Sequence, residues 1–424
     1  MKKLVTVILT LALMVSLVFA AQPMQMDKTT KMPAYRIDKV EGETMANISA
    51  KSKSPDYNPV VHAVKVDSSL NGYGMVVGLT NPLTHFNMGS EDENYFVMAY
   101  RQFQGLTASS GHIGAAVSVD NGETWTGYAG LNTNAPGAVA GRYPSAIGGE
   151  GYPYIIWNEY AGGGGTYEGR ALYAYDALGW AGGFFTDPVD INMTVGNPED
   201  MWVGIPDYSY DAAAGAGYLN VVYTSWTNRN KYLFHSLGIG DDGAVSFTRA
   251  VKIYDVETHF QGTANENYTS DAGIGINADG VGYVACTAYW AEEVNGSTYH
   301  TFMIRKTEDY GTTWSTSGTN GMPYYYIPDA VLDDAILDTY IPSSVDLEDG
   351  TVLEFEGLFI GYDNEVAVDA DGGLHLMCLV VPSSDNGVYP TIVEGCGFYH
   401  FYSPDPTDAN SWQVTFVQSM QETW

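Results

Sequence analysis

The octapeptide Ser118-Val-Asp-Asn-Gly-Glu-Thr-Trp125 recurs in pattern as Thr307-Glu-Asp-Tyr-Gly-Thr-Thr-Trp314, and both fit S/T-x-D-x-G-x-T-W. In a tight β-turn, an Asp side chain accepts hydrogen bonds from backbone N–H groups and a glycine supplies a positive φ. The tryptophan can then pack between neighbouring strands. Two copies with the same spacing predict a repeated β unit. The residues expected to build this turn are Ser118, Asp120, Gly122, Trp125, Asp309, Gly311 and Trp314.

Weaker copies of the octapeptide extend the repeat. They are Tyr175-Asp176 leading to Gly179-Trp180, Gly238 to Gly243 leading to Phe247, and Ser403-Pro-Asp405 leading to Ser411-Trp412. Each of the five copies follows a β-branched or aromatic run by about 21 to 28 residues; the runs are Tyr95–Tyr100, Tyr152–Trp157, Leu219–Tyr223, Tyr283–Tyr289 and Leu374–Leu379. The runs recur every 57 to 67 residues or so, except across an insertion from Tyr324 to Glu356.

The order of elements within one period predicts the fold. A short strand, a Gly- or Asp-rich turn, the apolar run, a further strand, the octapeptide turn and a last strand make a four-stranded antiparallel blade. We therefore expect an all-β chain, a β-propeller of about six blades, with five visible from about Asn81 to Val417. The alternating stretch Val60–Gly78 suggests part of a sixth. The sequence leaves ring closure and C-terminal completeness open.

The two octapeptides resemble the Asp box, or BNR repeat, of the sialidase-like propellers, in which this turn is structural. That resemblance also implies a sialidase site: three arginines for the substrate carboxylate, a Tyr–Glu nucleophile pair and an acid/base Asp. Tyr35-Arg36-Ile37-Asp38 resembles the family's Arg-Ile-Pro motif, with Asp38 in place of proline. The last of the seven arginines is Arg305, so the binding arginine that the family's two C-terminal blades normally contribute is not expected here. We therefore do not expect an active sialidase.

The N-terminus predicts export. Lys2 and Lys3 precede an apolar run that ends at Ala20, which is the pattern of a cleaved signal peptide over residues 1–20. No cysteine lies near the cleavage point, so a lipoprotein is not expected. Residues 21–55 are expected to form a polar leader, and residues 56–424 the propeller domain. The protein is expected to be secreted or attached at the cell surface, without membrane insertion.

The charge of the chain limits its partners. The formal net charge is −32, which disfavours binding to nucleic acid and to anionic membranes. No cofactor is implied, and the histidines show no metal-ligand spacing, although the acidic turns leave calcium open as a ligand. Cys286, Cys378 and Cys396 are an odd set, for which three free thiols and a Cys378–Cys396 bridge both remain open.

Propeller ligands bind where the loops between the second and third strands meet the connections between blades. Eight residues in or beside these segments are the expected ligand-binding residues: Arg101, Arg142, Tyr143, Tyr160, Trp226, Arg229, Tyr268 and Trp290. Aromatic rings stack on sugar faces, and arginine binds hydroxyl or carboxylate groups. The alternative is that the arginines pair with carboxylates and join blades.

Two functions from different classes follow. The first is a non-catalytic binding or scaffold protein for a glycan or another extracellular ligand, such as a protein. The second is a glycan-active hydrolase with two carboxylates on the same face, for which Glu159 and Glu266 are the candidates. Such a pair needs two carboxyl groups about 5 to 10 Å apart, one of them with a raised pKa.

Overall fold

The computed structural model describes residues 32–33, 63–69, 80–87, 94–105, 111–135, 139–160, 169–191, 201–225, 232–240, 243–260, 269–270, 272–290, 299–384 and 387–420. Nearly all of the regular structure in these ranges is β-strand. The α-helices that lie wholly within these ranges are short, α1 (Val256–His259) and α2 (Asp329–Ala335). Two 3-10 turns cover Gly179–Ala181 and Thr319–Gly321.

Apart from one separate hairpin, the strands of the described residues group into five antiparallel sheets in chain order, which we call blades 1 to 5. Strand β1 is Met32–Pro33. Blade 1 contains β2 (Leu83–Asn87), β3 (Asn94–Arg101), β4 (Ile113–Ser118) and β5 (Thr126–Tyr128). Blade 2 contains β6 (Gly141–Gly148), β7 (Pro153–Tyr160), β8 (Gly169–Tyr175) and β9 (Val189–Asp190).

Blade 3 has the same plan with its first and last strands each split in two. Its strands are β10 (Met201–Val203), β11 (Asp207–Asp211), β12 (Ala216–Ser225), β13 (Tyr232–Gly240), β14 (Ser246–Phe247) and β15 (Val251–Asp255). Both β10 and β11 pair with β12, and both β14 and β15 pair with β13. The blade is therefore four strands wide at every level.

Blades 4 and 5 flank the insertion. Blade 4 contains β16 (Gly273–Ile276), β17 (Gly282–Ala288), β18 (Thr301–Thr307) and β19 (Tyr325–Tyr326). A separate hairpin follows, β20 (Ser344–Asp346) and β21 (Val352–Glu354). Blade 5 contains β22 (Gly357–Val368), β23 (Leu374–Ser384), β24 (Gly387–Val388), β25 (Gly397–Ser403) and β26 (Gln413–Ser419). Strand β1 joins blade 5 by pairing with β24.

Each blade packs its face on the next, because the middle strands are apolar on both sides. Residues of consecutive blades share the buried clusters, for example Ala99 with Ile155, Ile156 with Val221, Val222 with Val284, and Ile304 with Leu376. This succession of four-stranded antiparallel blades confirms the predicted β-propeller. The described part of Val60–Gly78, residues 63–69, contains no strand, and its remainder lies outside the described residues.

The two octapeptides form the turns between the third and fourth strands of blades 1 and 4. Asp309 Oδ1 accepts hydrogen bonds from Thr313 N (2.7 Å) and Thr307 Oγ1 (2.9 Å), and Gly311 has a φ of 86°. Asp120 makes the matching contacts in blade 1, with Thr124 N at 2.8 Å and Ser118 Oγ at 2.8 Å. The Thr124 hydroxyl also donates to Asp120 Oδ2, and this bond, followed by those from Thr124 N and Ser118 Oγ, lowers the pKa of Asp120.

The tryptophans of these turns contact neighbouring aromatic side chains. Trp125 donates through Nε1 to Gly122 O (3.1 Å) and lies beside Phe96. Trp314 reaches the preceding blade, where its ring meets His235 edge-on at 5.2 Å between centroids. Burial lowers the pKa of His235 to about 4, so this histidine is neutral at pH 7.

The insertion between blades 4 and 5 is folded onto the core. Leu332, Ile336 and Ile341 are fully buried among side chains of both blades. The ring of Tyr340 stacks on Phe416 of β26, with 5.0 Å between centroids. The insertion therefore extends the buried interface between these two blades.

Several N-terminal predictions fall outside the described residues, including the signal peptide and nearly all of the leader. Within the described residues, no helix has the length and hydropathy needed to cross a bilayer. All three cysteines are buried free thiols, and burial raises the pKa of each.

Candidate functional site

The innermost strand of blade 2 is irregular where it approaches the loops. The register between β6 and β7 shifts between Arg142 and Ser145, which marks a β-bulge. Within the bulge, Tyr143 has a φ of 47°, a left-handed conformation that non-glycine residues rarely adopt. Bulges commonly re-aim side chains beside functional sites, and strained backbone concentrates there. This local structure sets the positions of Arg142 and Tyr143.

Four side chains meet at this bulge, and we call them the Arg142 cluster: Arg142, Tyr143, Tyr160 and Trp202. The guanidinium carbon of Arg142 lies 5.2 Å from the centroid of the Tyr160 ring. Trp202 of blade 3 receives the rings of Tyr160 and Tyr143 edge-on, at 5.1 Å and 5.9 Å between centroids. Arg142, Tyr143 and Tyr160 are partly exposed, whereas Trp202 is buried. The cluster therefore presents a cation and aromatic surface across the junction of blades 2 and 3.

Glu159 lies next to this cluster but is fully buried, at 0% exposure. Its Oε2 accepts from Asn132 Nδ2 (2.8 Å) and from Trp157 Nε1 (2.9 Å), and its Oε1 accepts from Ala140 N. Burial raises the pKa of Glu159, and these hydrogen bonds and the nearby charge of Arg142 oppose that rise. Asn132 and Ala140 belong to the connection that follows blade 1. Glu159 thus ties that connection to blade 2.

The remaining predicted site residues separate into two groups. Arg101 and Trp290 are each 2% exposed. Trp290 packs among Phe260, Tyr324 and Tyr326. Trp226, Arg229, Tyr268 and Glu266 lie outside the described residues. A common site for Arg101, Arg142 and Arg229 accordingly stays a prediction.

Sequence reasoning did not identify the donors that hold Glu159. Asn132 also donates to Gly111 O and accepts from Ile113 N, so one amide serves both blade 1 and Glu159. No local motif signals this role, because the partners are 19 to 27 residues away. Within the described part of the chain, no group of three or more His, Cys, Asp or Glu side chains is arranged to hold a metal ion.

A second carboxyl, that of the partly exposed Asp207, joins the innermost strands of blades 3 and 4. Asp207 Oδ2, on β11, accepts from Ile276 N of β16 at 3.1 Å. Burial raises the pKa of Asp207 to about 8, although the residue keeps some solvent exposure. At pH 7 the folded protein therefore holds a proton that the unfolded chain releases.

Asp207→Asn should weaken the pH dependence of stability. Between the ordinary Asp pKa of 3.8 and about 8, the unfolded state binds fewer protons, so native stability falls as pH rises. The loss is at most about 1.4 kcal/mol per pH unit. The asparagine variant lacks this titration. Its free energy of unfolding should therefore rise relative to that of the native protein between pH 5 and pH 8. Urea unfolding of both proteins across this range measures it, and parallel pH profiles would contradict it.

Comparisons with known proteins leave the family open. No family model matches the chain, and no curated protein is significantly similar to it. The chain is similar to the Bacteroides ovatus xyloglucan PUL GH43B structure, with 16% identity over 81% of this chain and a TM-score of 0.34. It spans 56% of that protein's length.

For two further solved structures, the match spans a larger share of the neighbour's own chain. One is a polysaccharide lyase, Uly1, with 12% identity, coverage of 84% of this chain and 76% of that chain, and a TM-score of 0.47. The other is the α-L-arabinofuranosidase Arb93A from Fusarium graminearum, with 11% identity, coverage of 80% of each chain and a TM-score of 0.39. Because these likenesses are distant, function must be inferred from the residues of this chain.

Proposed function

We propose that the protein is a secreted or cell-surface propeller that binds a glycan without catalysis, and that the Arg142 cluster contacts the sugar. One observation carries the proposal. A bulged strand holds an arginine and a tyrosine in a strained, partly exposed position, against aromatic rings of two blades. Strain of this kind persists where the surroundings enforce it.

The chemistry of the cluster suits a sugar. Tyrosine rings offer flat apolar surface to the C–H groups of a pyranose, while Arg142 supplies planar donors for hydroxyl or carboxylate oxygens. Arg142 is also a scarce cation in a chain of net charge −32. A glycan that carries carboxylates would be repelled by most of this surface and attracted at this point.

Glu159 fits a structural role better than a catalytic one. A general acid must reach the glycosidic oxygen at about 2.6 to 3.2 Å, directly or through one water. Glu159 has no exposed surface, and protein donors bind both of its oxygens. Its raised pKa is the one observation that favours the hydrolase alternative. That alternative needs a second carboxylate, and its candidate, Glu266, lies outside the described residues.

Binding should depend on the cluster and not on charge in general. A glycan array identifies ligands, and calorimetry with the best ligand then compares the native protein with Arg142→Ala and Tyr160→Ala. Each variant should bind at least tenfold more weakly, because the ligand loses a charge-assisted hydrogen bond or a stacking face. Arg249→Ala is the matched control, since Arg249 is an exposed arginine of blade 3 outside the cluster.

A fluorogenic glycoside panel separates the two functions. The native protein should release no product above the background of a heat-denatured sample. Turnover that Glu159→Gln abolishes would establish the hydrolase alternative. Equal affinity of Arg142→Ala and the native protein would remove the cluster from the binding site.

A further inference from the structure

An Asp–His–His line lies on blade 5, far in sequence from the Arg142 cluster. His375 Nε2 is 3.3 Å from Asp369 Oδ2, and His375 Nδ1 is 3.0 Å from His400 Nε2. His375 is on β23 and His400 on β25, where the register pairs His375 with Tyr402 and Met377 with His400. The two histidines are thus diagonal neighbours on one face of the sheet. Both are partly exposed.

We propose that His375 and His400 bind one divalent transition-metal ion of the Cu²⁺, Ni²⁺ or Zn²⁺ class. Imidazole nitrogen is a preferred ligand of these ions, at about 2.0 to 2.1 Å. Two such nitrogens are about 3 Å apart at the angle near 90° of a square-planar Cu²⁺ or Ni²⁺ ion, and about 3.3 Å apart at a tetrahedral Zn²⁺ ion. The observed separation of 3.0 Å matches the square-planar geometry, in which each ring must turn so that its nitrogen lone pair points at the ion. Zn²⁺ additionally requires the two nitrogens to separate by a few tenths of an ångström.

Asp369 supplies the support that a metal-binding histidine requires. A histidine that binds a metal through one nitrogen usually donates its other N–H to a carboxylate, which fixes its tautomer and orientation. Asp369 is itself held in place, because its Oδ1 accepts from Gly373 N (2.7 Å) and Asp371 N (3.0 Å). Its Oδ2 is then directed to His375. Nδ1 of His375 faces His400 as the metal-binding nitrogen.

The surroundings favour an open, exchangeable site. The ring of Tyr402 packs on His375 with 4.6 Å between centroids. With only two protein ligands, the other positions of the ion are filled by water or by an exogenous ligand. The net charge of −32 raises the local concentration of cations around the protein.

Titration calorimetry with Zn²⁺ and, separately, Ni²⁺ in chelator-free buffer tests the proposal. The native protein should bind one ion, and His375→Gln and His400→Gln should each bind at least tenfold more weakly. His85→Gln is the matched control, because His85 is an exposed histidine of blade 1. It should bind as the native protein does. Asp369→Asn keeps the turn acceptor and should bind about 10- to 100-fold more weakly.

A thermal melt provides a readout that does not depend on calorimetry. Zn²⁺ should raise the Tm of the native protein, chelator should reverse the rise, and His400→Gln should show none. The same melts without metal establish that the variants fold. The proposal is overturned if no stoichiometric binding is seen, or if His85→Gln lowers the affinity as much as His375→Gln does.

Discussion

Replacing Glu159 with alanine is expected to lower the free energy of unfolding by roughly 3 kcal/mol or more. The substitution removes the acceptor of Trp157 Nε1, of Ala140 N and of one of the two Asn132 Nδ2 hydrogens, while the other hydrogen still binds Gly111 O. The side chains of Trp157 and Asn132 have 0% exposure, and each unsatisfied buried donor costs about 1 to 3 kcal/mol. The variant also leaves a cavity where the carboxyl group was. Urea unfolding measures the loss.

Two further substitutions make this result specific. Glu159→Gln keeps the size and one acceptor oxygen, so it should recover part of the stability. Glu348→Ala removes an exposed glutamate at the tip of the β20–β21 hairpin and should stay within about 0.5 kcal/mol of the native protein. If Glu159→Ala is as stable as Glu348→Ala, the carboxyl is not what joins the blades here.

Asp309→Ala should destabilise blade 4 by about 1 to 3 kcal/mol. Asp309 accepts from the backbone N–H of Thr313 and from two threonine hydroxyls, so one carboxylate holds the whole turn. The adjoining Tyr310 has a φ of 58° and Gly311 a φ of 86°, conformations that the open turn would no longer enforce. Chemical denaturation followed by tryptophan fluorescence reports the loss, since Trp314 ends this turn.

A nearby aspartate controls for charge. Asp279 is exposed in the turn between β16 and β17, and Asp279→Ala should change stability by less than about 0.5 kcal/mol. The stability of Asp309→Asn should lie between those of the two alanine variants, because the amide oxygen can still accept hydrogen bonds from the turn. Ligand binding at the Arg142 cluster should be unaffected in every folded variant. Equal stability of the two alanine variants would show that Asp309 does not hold the turn.

The repeat made the architecture predictable, because a turn must be encoded locally. Asp120 and Asp309 act on residues four positions away, so short motifs record them. The apolar runs fix the second strands for a similar reason. A strand covered on both faces must be apolar throughout, and Tyr283–Tyr289 accordingly becomes β17 (Gly282–Ala288).

The site was only partly predictable, since it depends on contacts between blades. Arg142 and Tyr160 were identified by their place in the repeat, but the bulge that brings them together has no sequence signature. Arg101 ends the second strand of blade 1, as Tyr160 ends that of blade 2, but Arg101 is buried. His375 and His400 are 25 residues apart in the chain. Their approach depends on the register between β23 and β25, and this register cannot be read from a single sequence.

The succession of blades also determines how the chain can fold as it emerges. Apart from the pairing of β1 with β24, each sheet pairs strands that follow one another closely, so a blade can form once about 50 to 65 residues are available. Contacts between blades bridge longer separations, as in the bond from Asn277 Nδ2 to Asp369 O across 92 residues. Until the next blade is made, the newest one exposes an apolar face. Synthesis should thus proceed through a series of partly folded chains, each prone to aggregation until its successor covers it.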